Sequence, residues 1–318
     1  MAPEIELTAW VVDDTGIVKD GKHSPGVKRQ YSGTLGKIGN CQVTVSVHAV
    51  GELGTLPLGW RLYLPEEWCE DSERRRKAKI PDEVSFQTKP ELAADLCEQA
   101  AGWWELQAAP ILADSAYGDD TAFRTRLAAL ELEYLLAVRA ETSVYGPETS
   151  FAVPKRNGST GRPRTVARPD RKPESVRALA ERLPAAAWRT LPCRTTPAGE
   201  DVSGRFAFVR VVATHPVRTN NLPPREEWLI IEWPEAEDAP TDYWLSNLPQ
   251  EANLERLARL ARLRWTVELD YRQLKGELGL DHYEGRSYLG FHHHTALVTC
   301  AHAFLTLERL CPKAPRPA

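Results

Sequence analysis

The chain has 318 residues, 42% hydrophobic and 26% charged, the balance of a folded globular protein with room for one large domain or two smaller ones. No apolar run nears the roughly 20 residues that span a bilayer, and the opening MAPEIELTAW has neither the basic nor the apolar region of a secretory signal. Six scattered cysteines (41, 69, 97, 193, 300 and 311), with no CxxC pair, argue against a disulfide scaffold or a zinc ribbon and for a reducing cytoplasm.

In chain order, TAWVVDDTG predicts a short strand that stops at paired aspartates and a Thr-Gly turn. CQVTVSVHAV (41–50) alternates with period two, Val43, Val45 and Val47 on one face and Gln42, Thr44, Ser46 and His48 on the other. GWRLYLP is a third strand, and KPELAADLCEQAAGWWEL has helical spacing with proline near its start. APILADSAYG predicts a buried strand ending in Asp114, DDTAFRTRLAAL an Asp-capped helix, and EYLLAVRA another strand. Residues 1–140 thus predict the first part of an α/β core, with Asp13, Asp14 and Asp114 at strand ends, where sites of such sheets lie.

Residues 141–248 predict a β-rich insertion. It opens with a Pro-, Gly- and Arg-rich loop and a short helix, SVRALAERL, and continues as the strands RFAFVRVVATH, EEWLIIEWP and DYWLSNLP. From 249 to 311 the chain turns helical: EANLERLARLARLRWTVELDYRQLKGEL predicts one long amphipathic helix and HHTALVTCAHAFLTLERL a last one, before a tail at 312–318. The net charge of −4 does not suggest a nucleic-acid binder, but it hides two basic runs. RRRKAK lies at 74–79, and residues 155–177 carry eight basic side chains against two acidic ones. Either run is a solvated loop or helix face unless it lies beside a site that needs DNA.

On the long helix, Glu268 lies about 40° from Arg264, and Lys275 and Tyr271 about 20° to either side of Arg264. This charged stripe borders the apolar one, so it is either a surface Arg-Glu pair or a carboxylate aimed into a cleft. Three carboxylates drawn from distant parts of a chain, Asp14, Asp114 and Glu268, would repel one another without a cation, and carboxylate oxygens suit Mg2+. The blocks WVVDDTGIVKDGKHSPGVKRQYSGTLGKIGNCQVTVSVHAV, PILADSAYGD and RLRWTVELDYRQLKGELGLDHYEGRSYLGFHHH resemble, in order and across nearly the whole chain, the DDE transposases of bacterial insertion sequences, in particular those with a Tyr-Arg-Glu-Lys signature.

The resemblance implies an RNase H-like mixed sheet with flanking helices, interrupted by a β-rich insertion. It implies metal-dependent hydrolysis of phosphodiesters and strand transfer during transposition. Asp14, Asp114 and Glu268 would hold two Mg2+ ions, with Mn2+ as substitute, and Asp13 is the alternative first ligand. Arg264 and Lys275 would contact DNA phosphate. The partners implied are double-stranded transposon ends and target DNA, with a homodimer in the synaptic complex, no membrane, and a cytoplasmic, nucleoid-associated location.

The chain departs from the family pattern at Ala261, where the signature tyrosine falls and for which Tyr271 is a candidate replacement. The second motif reads Asp114-Ser115-Ala116-Tyr117 in place of Asp-x-Gly-Tyr. Only 13 residues precede Asp14, where relatives place a helical DNA-binding domain, so a shortened, inactive remnant that only binds DNA or an intact transposase is a second reading. A structure-specific host nuclease of the same fold is a third. The loop GKHSPGVKRQYSG offers Lys22, His23, Lys28 and Arg29 as backbone contacts, or is a plain connection. His292, His293 and His294, with His282 and His302, predict structural or DNA-facing roles over zinc, because neighbouring helical residues diverge. Among ten tryptophans, Trp103 and Trp104 read as core, and Trp228, Trp233 and Trp244 as candidates for stacking on a flipped base.

Overall fold

The polar face of the second predicted strand decides much of the architecture. In the computed structural model, β3 (Lys37–Gly51) is buried at every position from Cys41 to Val50, on the valine face and the Gln42–His48 face alike. A strand with one wet side would expose that second face; here both faces are covered, so each buried polar side chain needs a partner. Gln42 Nε2 donates to the Pro25 carbonyl at 2.7 Å and Thr44 Oγ1 to the Arg61 carbonyl at 3.1 Å.

The structure describes residues 2–33, 36–102, 106–153, 166–196, 199–214 and 225–311. Trp103, Trp104 and positions 155–165 of the longer basic run lie outside these. The chain divides into two compact units, Met1–Ile111 with Arg264–Ala318, and Leu112–Leu263.

In the first unit β1 (Leu7–Val18) pairs antiparallel with β3, and the other edge of β3 carries β2 (Lys28–Ser32) and β4 (Thr55–Leu62). Helices α1 (Glu66–Glu70), α2 (Ser72–Ala78) and α3 (Lys89–Gly102) follow. One face of these strands is covered by α3, against β3 and β4. The strand β1 does not stop at the aspartates as expected. Asp13 and Asp14 lie inside it, opposite Ser46 and Val45, and pairing continues to Val18 and Cys41. Gly16 marks a close approach and not a turn: a Cβ there would meet Ser32 Oγ at 2.0 Å.

The second unit begins within the short strand β5 (Ile111–Ala113), then α4 (Ser115–Gly118), α5 (Thr121–Ala129) and β6 (Tyr134–Val138). Strands β7 (Ser143–Tyr145), β8 (Phe151–Ala152), β9 (Arg168–Pro169) and β10 (Glu174–Ser175) precede α6 (Val176–Glu181). After β11 (Trp188–Thr195) come β12 (Asp201–Ala213), β13 (Glu227–Glu232) and β14 (Asp242–Ser246), which form an antiparallel run closed by β6. The core under it gathers Val144, Leu179, Val211, Leu229, Ile231 and Leu245. β6 and α7 (Leu254–Leu263) therefore group with the strands of the expected insertion.

The long helix expected after residue 249 is two helices, α7 and α8 (Trp265–Gly276), separated at Arg264. The Val267 N–H reaches the Arg264 carbonyl, three residues back, and starts a new helix there. Helix α9 (Tyr288–Leu310), capped by Ser287, then packs on β4. The result is the mixed α/β class expected from the sequence.

Candidate active site

Successive residues of a strand point to opposite faces, and this separates the two aspartates of β1. Asp13 lies opposite Ser46, whose Oγ is 2.7 Å from the Tyr271 hydroxyl of α8. Its Oδ2 accepts from Arg264 Nη1 at 3.0 Å, and Arg264 Nη2 donates to Glu268 Oε1 at 3.1 Å. One guanidinium thus spans a carboxylate of β1 and one of α8, 255 positions apart in the sequence. Asp14 faces the other way and accepts from Lys89 Nζ of α3 at 3.0 Å. The Asp13 side chain is largely buried, whereas that of Glu268 is 60% exposed.

Lys275, one turn beyond Tyr271, donates from Nζ to the Gly16 carbonyl at 2.8 Å. Burial pulls its ammonium pKa down, and Asp281 partly offsets this. Tyr271 is not at the surface where a DNA backbone would run. It is buried, and its phenol is pushed well up by burial and by the Asp13 carboxylate. Lys22, His23, Lys28 and Arg29 are exposed on and before β2, with Lys28 Nζ 3.0 Å from Glu67. Asp114, in the second unit, caps α4 by accepting from the Ala116 N–H at 2.9 Å.

The sequence reading missed the polar network that seats α8. His48 Nδ1 lies 3.0 Å from Asp270 Oδ2, His48 Nε2 lies 3.0 Å from Ser46 Oγ, and Thr55 donates to the other Asp270 oxygen. His302 of α9 stands 3.8 Å from the same carboxylate. The signal was present: a serine and a histidine on the alternating face of β3, and an aspartate beside Tyr271. It was unreadable without knowing that this face is buried.

The three consecutive histidines diverge. His292 is largely buried against Tyr288 and Phe291, His293 is exposed, and His294 Nε2 lies 2.9 Å from the Gly279 carbonyl. Trp228 and Trp244 are buried, and Trp233 packs edge-on to Trp188 with Arg205 over both rings. In the run at 74–79, Arg74 stacks on Trp68 and Arg75 is spent on the carbonyls of Pro81 and Val84.

Among the described residues no three or more His, Cys, Asp or Glu side chains gather to hold a metal ion. The donor chemistry nevertheless suits one. Asp13 and Glu268 offer hard oxygens of the kind Mg2+ and Mn2+ take, and a cation, the Arg264 guanidinium, already stands on both.

A carboxylate of a strand and one of a helix thus share a single guanidinium, that of Arg264, in a mixed α/β fold. The model of the DDE superfamily endonuclease family matches residues 1–198, and the chain belongs to that family. It is also 36% identical over 134 residues to a probable transposase for insertion sequence element IS701 from Microchaete diplosiphon. That match covers 41% of this chain and 31% of the relative's length.

Proposed function

We propose that the protein is a metal-dependent DNA transposase that cleaves phosphodiesters and joins strands, and that Asp13, rather than Asp14, is its first catalytic carboxylate. The observation that carries this is the Arg264 bridge, which brings Asp13 and Glu268 to one cation while Asp14 turns toward Lys89. Asp114 joins as third ligand on the strength of its sequence motif. Bound there, two Mg2+ or Mn2+ ions would activate the attacking oxygen and stabilise the leaving one.

The chain's own residues do the rest. Asp13 and Glu268 set the negative charge that draws the cation, and Arg264 beside them supplies a guanidinium for a DNA phosphate. Lys275, half-buried beside Gly16, adds a fixed positive charge. The exposed Lys22, His23, Lys28 and Arg29 offer contacts to the backbone without reading sequence. Joining two transposon ends to one target calls for two copies of the chain, acting at the nucleoid.

The test is nicking of supercoiled DNA bearing transposon ends, with Mg2+ or Mn2+ and with neither. Asp13→Asn and Glu268→Gln should lower the metal-dependent rate ~10^3-fold or more, and Asp14→Asn far less. Undiminished nicking by Asp13→Asn, or a wild-type chain inert with either metal, would sink the reading.

A further inference from the structure

A carboxylate drawn out of water needs a cation or hydrogen-bond donors in return. Asp13, whose side chain is only 12% exposed, has both. Its Oδ1 accepts the backbone N–H of Asp14 at 2.8 Å, and its Oδ2 accepts Arg264 Nη1 at 3.0 Å. Both oxygens are therefore engaged, by donors that differ in what can move. The Asp14 N–H is part of the paired strand β1, whereas the guanidinium ends a long, partly exposed side chain at the start of α8.

The other arm of that guanidinium, Nη2, donates to Glu268 Oε1 at 3.1 Å, one helical turn along. Alone this arm is a surface pair of small worth. With the arm to Asp13 it ties one cation to two carboxylates and leaves a single net negative charge on the three side chains. A divalent cation added to the same pair would turn that charge positive if the guanidinium stayed, and like charges this close repel. The two cations are alternatives for the same oxygens.

We infer that Arg264 is a built-in competitor for metal: its guanidinium holds Asp13 and Glu268 together until a divalent cation binds there by displacing it. This rests on the reading of Asp13 and Glu268 as metal ligands. The bridge lets two carboxylates fold side by side before metal arrives, and it sets a threshold of metal concentration below which the pair stays with arginine.

Displacement has signatures that need no catalysis, read on the full chain with Mn2+ and without DNA. By titration calorimetry, Arg264→Gln should bind Mn2+ roughly 10-fold more tightly than the wild type, since no charge-assisted hydrogen bonds need breaking. Arg264→Lys keeps the charge but loses the two-armed fork, and should bind nearly as tightly as Arg264→Gln. Glu268→Gln should weaken binding, which locates the metal at this pair. In thermal melts with a chelator Arg264→Gln should be less stable than the wild type, and saturating Mn2+ should close that gap. Equal Mn2+ affinity in wild type and Arg264→Gln, Arg264→Lys at the wild-type value, or a stability gap that Mn2+ leaves unchanged would overturn the inference and leave the nuclease reading standing. No Mn2+ bound by any variant, or binding indifferent to Glu268→Gln, would overturn both.

Discussion

At the scale of single residues, the alternation of β1 does the sorting. Two adjacent aspartates are equal in sequence, but one faces α8 and the other α3, so their neighbours differ. His292 supplies a residue-scale prediction of another kind. Burial lowers its pKa to about 4, with Arg61 and His293 pressing the same way. An unfolded histidine takes its proton near 6.5 and the folded one only near 4. Acidification between those values therefore favours the unfolded chain, by something of the order of 3 kcal/mol once complete, and above pH 6.5 the effect is absent. Thermal melts should show stability falling from pH 6.5 toward 4, and His292→Gln should flatten that slope. A slope unchanged by the substitution would assign the acid sensitivity to other groups, His302 first among them.

At the scale of elements, α8 is held by what lies beneath it. Asp270 and Tyr271 are neighbours on that helix and bond to His48 and Ser46, two residues apart on β3. This fixes the rotation of α8 and so the direction of Glu268 and Arg264. Because the Asp270 carboxylate is buried with its partners, Asp270→Ala leaves His48 and Thr55 without their acceptor and should cost about 3–5 kcal/mol. Urea unfolding measures this directly, and a loss below 1 kcal/mol would show the network to be dispensable.

Much of this layer was legible in the sequence. The valine alternation of β3, the Asp cap of α5 and the helical stripes of α3 and α9 follow from local physics. Three features were not. The aspartates seemed to end a strand because Asp-Asp-Thr-Gly is turn chemistry, whereas Gly16 is there to let Ser32 close in. The break at Arg264 falls in a sequence with unbroken helical periodicity, and it coincides with the boundary between units. The Ser46–His48–Asp270 network joins residues more than 200 positions apart, which no local pattern encodes.

At the scale of the whole molecule, no helix among the described residues is long and apolar enough to cross a membrane. The first unit is assembled from both ends of the described chain, with 112–263 folded separately in between. A chain stopped at Leu263 would keep β14 paired with β6 but would lack the helices that cover the Ser46–His48 face of β3. Limited proteolysis of that shortened chain should cut readily within 1–111 and spare 112–263. Equal resistance of both parts would show that the strands of the first unit need no cover.

That split arrangement sets a clock on synthesis. At ribosomal speeds of 5–20 residues per second, roughly 10–40 s pass between the emergence of β3 and that of α8. Through that interval the strand's buried polar side chains stand in water, and Asp13 waits for the helix that carries Arg264 and Glu268. The Arg264 bridge between Asp13 and Glu268 thus closes only once α8 has left the ribosome, among the last contacts the protein makes.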